Sequence, residues 1–113
     1  MEEFQLLNKV KWLCSYTEKY IFSSFPKVHL ALKIKIDENL YSLLENTIRA
    51  NLNKGNIRNK YQKDMLANIV LLDYYIGQLY SKKIIIKKRF ISFINCLIEI
   101  KKMTNGWMNY KEN

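Results

Sequence analysis

One proline and three glycines are the only strong breaks in these 113 residues. Between Pro26, Gly55, Gly77 and Gly106 the apolar residues recur every third or fourth position, a spacing that leaves little option but helix. The first segment, about 3–22, carries Leu6, Val10, Leu13, Thr17 and Tyr20 on one face. Ser23-Ser24-Phe25-Pro26-Lys27 interrupts it, because proline drives Phe25 out of the helical region and suits the first turn of the next helix. The second segment, 27–53, has the stripe Leu32, Ile36, Leu40, Leu43, Thr47 and Ala50, and Asn53-Lys54-Gly55-Asn56 stops it. The third, 57–80, aligns Met65, Ile69, Leu72, Ile76 and Leu79, with Gly77 costing about 1 kcal/mol relative to alanine. Ser81 is the expected N-cap of a fourth helix, 82–107, whose face is Ile86, Phe90, Phe93, Leu97, Ile100, Thr104 and Trp107. Ile84-Ile85-Ile86 alone favours a strand, but the long helical period after it outweighs that preference. Gly106 is expected to fray the last turn.

Four helices joined by short turns predict a single all-α domain, an antiparallel up-down-up-down four-helix bundle. Helices two and four carry more apolar surface than one core needs. Ile34, Tyr41, Leu44 and Ile48 widen the second stripe; Ile91, Ile94 and Ile98 widen the fourth. Surplus of this kind marks an interface, and the expectation is self-association through these two helices.

The charge is lopsided. The net charge is +9, and residues 57–113 hold eleven basic side chains against four acidic ones. Lys82, Lys83, Lys87, Lys88 and Arg89 crowd the expected start of helix four with no carboxylate among them. A helix N-terminus disfavours cations and favours a bound anion, so this group reads as a phosphate-contacting patch. Arg58, Lys60 and Lys63, near the start of helix three, form a second candidate patch. Up-down topology puts the two at opposite ends. No helix-turn-helix, zinc-finger or RNA-binding sheet motif is present, so base readout is not expected. Most of the eight tyrosines fall at or beside apolar stripes and suit packing. Trp12 is expected on the edge of helix one and Trp107 as an anchor for the end of the bundle.

Nothing in the sequence equips it for catalysis. His29 is the only histidine and suits a partly buried position; it precedes every arginine, contrary to the arginine-to-histidine spacing of helical ribonucleases. Cys14 and Cys96 read as reduced, half-buried thiols of a cytoplasmic protein. No metal and no cofactor are expected. No apolar run reaches a membrane span, and Met-Glu-Glu has the wrong charge for a secretory signal. Helix four is rich in isoleucine and lysine, as membrane-surface helices are, but Lys87 and Lys101 interrupt its apolar arc.

The closing run Leu97-Ile98-Glu99-Ile100-Lys101-Lys102-Met103-Thr104-Asn105-Gly106-Trp107 resembles the C-terminal signature of a family of small bacterial four-helix proteins. That family comprises the accessory variability determinant (Avd) of diversity-generating retroelements and the proteins encoded in ribosomal-RNA intervening sequences. Phe25-Pro26-Lys27 and Leu40-Tyr41-Ser42-Leu43-Leu44-Glu45-Asn46-Thr47-Ile48-Arg49-Ala50 are similar to its helix-two start and helix-two leucine run, in the right order. Lys101 and Lys33 stand where the family carries glycines. The resemblance implies a barrel-like homopentamer of four-helix bundles that binds RNA or DNA and associates with a reverse transcriptase and its template RNA during mutagenic cDNA synthesis. The alternative branch, the intervening-sequence proteins, implies a structural or interaction role.

Overall fold

The computed structural model describes residues 2–110, with side chains from Gln5 onward. Helix α1 spans Glu2–Tyr16, α2 Leu30–Leu52, α3 Gly55–Ser81 and α4 Lys87–Asn109, and there is no strand among the described residues. Each helix packs on its sequence neighbours, α1 closes the circle against α4, and α2 and α4 do not touch. Consecutive helices run in opposite directions, giving a four-helix bundle measuring 50 × 23 × 20 Å.

The stripes meet where their period directs them. Leu6, Val10, Leu13, Ile36, Leu43, Met65, Leu72, Ile76, Leu79, Phe93 and Ile100 are fully enclosed. Thr17, Thr47 and Thr104 share that core, and each donates its hydroxyl to the carbonyl four residues back at 2.7 Å. A polar side chain on an apolar face is thereby satisfied within its own helix. Between α2 and α3 the buried amides join hands. Asn46 Nδ2 donates to Asn68 Oδ1 at 3.0 Å, and Asn68 Nδ2 donates to Asn39 Oδ1 at 3.1 Å. Directional bonds of this kind fix the register of two helices where leucine packing alone tolerates sliding.

Several boundaries differ from the sequence expectation. The first helix does not continue as α-helix to residue 22. Thr17–Ile21 forms a π turn, and the Phe22 N–H donates to Thr17 O, five residues back, at 2.9 Å. The wider turn takes in one extra residue, so Ile21 is buried in the place expected for Tyr20, which is 41% exposed. The Thr17 hydroxyl on Leu13 O sits where the hydrogen-bond pattern changes. After Pro26 the chain makes one 3₁₀ turn, Lys27–His29, before α2 proper begins.

The fourth helix starts at Lys87 and not at 82, and Ser81 ends α3 instead of capping α4. Of the triplet Ile84-Ile85-Ile86, the first two residues form bends and only the third is extended. Ile86 is extended (φ −78°, ψ 160°) and serves as the N-cap residue without a side-chain bond. Ile85, 7% exposed, enters the core, and Ile86 stays on the surface. At the far end α4 runs through Gly106 to Asn109 without fraying. Trp107 is buried there and ties the last turn to the core.

Candidate nucleic-acid interface

The end of α1, the start of α2, the end of α3 and the start of α4 converge at one end of the bundle. Ring contacts mark the convergence. Tyr80 of α3 stacks on Phe90 of α4 at 4.5 Å, and Phe22 meets Phe25 edge-on at 5.8 Å. The Arg89 guanidinium lies 4.4 Å from the centre of the Tyr20 ring.

The connection from α3 to α4 builds the basic surface. Helix α3 finishes in a Schellman turn: the Ile84 N–H donates to Leu79 O at 2.9 Å and the Lys83 N–H to Tyr80 O at 3.0 Å. That geometry requires a left-handed residue, and Lys83 supplies it at φ 60°. Ile84 and Ile85 then turn inward while Lys82 and Lys83 stay in solvent. Lys87 and Lys88 occupy the first turn of α4, fully outside the core. Arg89 is half-buried under the end of α1. The five basic residues singled out in the sequence are thus brought together across one short connection.

Topology adds two that the sequence patch did not include. Lys19, at the end of α1, and Lys27, just before α2, are exposed at this same end, with Glu18 as the acidic residue among them. Only the up-down connectivity, read together with the charges of helices one and two, signals their approach. Lys33, on the apolar arc of α2, reaches out so that its ammonium lies 5.3 Å over the Phe22 ring. The ion pairs among the described residues lie elsewhere: Lys9–Glu99 at 3.6 Å, Lys35–Glu38 at 3.4 Å and Arg49–Glu45 at 3.7 Å. None neutralises the basic end.

The second candidate patch is at the opposite end, roughly 35 Å away along α3 at 1.5 Å per residue. Its members have different surroundings. The Arg58 Nε donates to Ala50 O at 2.9 Å, and its guanidinium lies 5.2 Å from the Trp107 ring centre. Arg58 therefore clamps the α2–α3 turn to the end of α4. Lys60 and Lys63 are exposed, with the Lys60 ammonium 5.5 Å from the Tyr61 ring.

The surplus apolar residues form two outward strips. On α2, Ile34, Tyr41 and Ile48 recur every seventh residue and are exposed, Tyr41 by 57%, with Leu44 half-buried beside them. On α4, Ile91 and Ile98 are exposed and Ile94 is half-buried, beside a small cleft shared with Ile69 and Val70 of α3. Because α2 and α4 are diagonal, the strips face away from each other.

Neither described thiol is activated as a nucleophile. Cys14 and Cys96 are free and half-buried. Burial pushes the Cys96 thiol up to about 11, with Lys9 opposing and Glu99 and Cys14 adding to it. Burial also raises Cys14, helped by Asp37. Both stay protonated at neutral pH, where a thiol is a poor nucleophile. No helix among the described residues is long and apolar enough to cross a membrane.

Fold and surface together define a basic four-helix bundle, helical throughout its described core, with one cluster of cations at one end. The chain matches no family model, and no curated protein or solved structure is significantly similar to it.

Proposed function

We propose that this chain is an accessory nucleic-acid-binding protein of the Avd kind. It grips RNA or DNA by the phosphates, assembles with copies of itself, and serves a reverse transcriptase and its template RNA. The observation that carries this reading is the basic end: Lys82, Lys83, Lys87 and Lys88 exposed around one connection, with no carboxylate among the described residues paired to them. Lys87 and Lys88, in the first turn of α4, oppose its macrodipole by about 0.3–1 kcal/mol each, whereas Lys82 and Lys83 follow the C-terminus of α3, where the dipole favours cations; a polyanion relieves the first penalty and the mutual repulsion of all four. Phosphates suit such a surface better than base edges do, so binding is salt-sensitive and weakly selective.

The two apolar strips support self-association. Strips on opposite sides of a protomer mate head to tail, and a head-to-tail contact that closes gives a ring. A ring of five, as the family resemblance implies, repeats the basic end around one rim. Avidity then strengthens a weak single-site grip.

The test is replacement of Lys82, Lys83, Lys87, Lys88 and Arg89 by neutral residues, with RNA affinity measured over a range of salt. The assembly should persist while the slope of log affinity against log salt falls by roughly 0.7 for each single-strand phosphate that is no longer neutralised. An unchanged slope refutes the assignment. Co-purification with a reverse transcriptase encoded beside this chain tests the partner.

A further inference from the structure

Three aromatic side chains, each four residues from the next, climb the side of the first helix. The Trp12 and Tyr16 rings stack at 4.8 Å and 16°. Tyr16 and Tyr20 follow at 5.1 Å, and the Arg89 guanidinium covers Tyr20 at 4.4 Å. The column thus begins under the first turn of α4, at the basic end, and finishes at Trp12. Tyr16 covers one face of that indole, yet the residue remains 49% exposed.

The exposed part of Trp12 borders a groove of about 770 Å³ between α1 and α4, whose walls include Asn8, Lys9, Ser92, Asn95 and Lys102. The lining is mixed: Cys96 and Ile98 add apolar surface beside Trp12, and Ile98 is shared with the outward strip of α4. Its polar part has amides and a hydroxyl, which both donate and accept hydrogen bonds. It has two lysines, of which Lys9 reaches Glu99 at 3.6 Å. Ser92 lies one helical turn beyond Arg89, so the groove runs on from the lysines at the start of α4.

We propose that the α1–α4 groove holds single-stranded nucleic acid, with one base stacked on the open face of Trp12 and the strand continuing to the basic end. The ligand class rests on the function proposed above; the groove and the demand for an unpaired base are new. A base can extend the Tyr16–Trp12 stack only if it is free of its own duplex stack. Every base has a π-face, so stacking of this kind tolerates sequence while selecting single strands. A duplex keeps access to the exposed lysines alone.

The two tryptophans make the test direct. In a Trp107→Phe background Trp12 is the sole indole, and its emission is followed during titration with oligouridylate, an RNA duplex of equal length, and heparin, a polyanion without bases. Oligouridylate should quench the emission; duplex and heparin should bind without quenching it. Trp12→Ala in the otherwise native chain should weaken oligouridylate binding roughly 5- to 100-fold and leave duplex binding within about twofold, and Trp12→Phe should restore most of the loss. This second readout stands if the Trp107→Phe chain does not fold. Oligouridylate binding that leaves both emission and Trp12→Ala affinity unchanged overturns the groove while sparing the basic end. So does an equal loss for single strand and duplex. Loss of self-association with unchanged affinity assigns the groove to a subunit interface and overturns it too. If none of the three polyanions binds, the proposed function itself fails, and the groove with it.

Discussion

Replacing Lys83 by glycine should make the protein more stable and a weaker binder of polyanions. Lys83 occupies the left-handed position of the turn that ends α3, at φ 60°. A side chain there crowds its own backbone, and the strain is of order 1–2 kcal/mol. Glycine removes it but adds freedom to the unfolded chain, which costs about 0.4–1 kcal/mol. The Lys83 N–H to Tyr80 O and Ile84 N–H to Leu79 O bonds involve only backbone and survive the change. A net gain near 1 kcal/mol remains, and for a domain of this size it corresponds to a rise in melting temperature of about 4 °C. Lys83→Ala is the control: it removes the ammonium and keeps the strain. Urea unfolding at fixed protomer concentration, followed by far-UV dichroism, gives the difference between the two variants with charge held equal. A Lys83→Gly chain no more stable than the Lys83→Ala chain refutes the strain argument. RNA affinity should fall equally in both, since the same charge is gone; affinity equal to that of the native protein removes Lys83 from the interface.

Phe93→Ala should lower the unfolding free energy by about 3–5 kcal/mol, because the ring is fully enclosed; chemical denaturation checks it, and a loss below about 1 kcal/mol would contradict that enclosure. The Cys96 thiol titrates at about 11 in the fold against an ordinary value of 9.0, so the folded state holds its proton more tightly than the unfolded state does. That contribution to stability is complete below pH 9 and is lost as pH rises toward 11. Denaturant midpoints in Cys96→Ala should therefore fall less steeply over that interval than in the native chain, and alkylation of Cys96 should be slow at neutral pH until denaturant is added.

The helical period reports which face of a segment is apolar, and that much was legible: the stripes of α2, α3 and most of α4 are the core. Period alone does not report where the hydrogen-bond pattern changes. The π turn at Thr17–Ile21 moved burial from Tyr20 to Ile21, and nothing in Thr17-Glu18-Lys19-Tyr20 distinguishes it from ordinary helix. Lys83 was hidden for the opposite reason. The position it fills is glycine's by preference, so a lysine pair read as the start of a helix and not as the stop of one. In Ile84-Ile85-Ile86 the β-branched run signals that helix is disfavoured there: it falls in the connection, as two bends and one extended residue. The network of Asn39, Asn46 and Asn68 depends on the packing of α2 on α3, which the type of no single residue announces. The same holds for Lys19 and Lys27, far from Lys82 in sequence and beside it in the bundle.

The basic end is also where the fold departs most from what stability alone would select. A lysine stands in the left-handed position that glycine fills without strain. Lysines occupy the first turn of α4, where acidic residues would complement the dipole. The helix has no side-chain cap at Ile86, so its first N–H groups are left for solvent or an anion. At about 0.3–1 kcal/mol for each misplaced cation and about 1–2 kcal/mol for the strained backbone, these choices together remove several kcal/mol from a domain whose total stability is about 5–15 kcal/mol. A phosphate bound there, as proposed, would answer the electrostatic ones together: it would pair with the lysines, accept from the free N–H groups and lie along the favourable sense of the dipole. Of these penalties only the backbone strain of Lys83 would remain, because the turn that ends α3 sets it and not the charge.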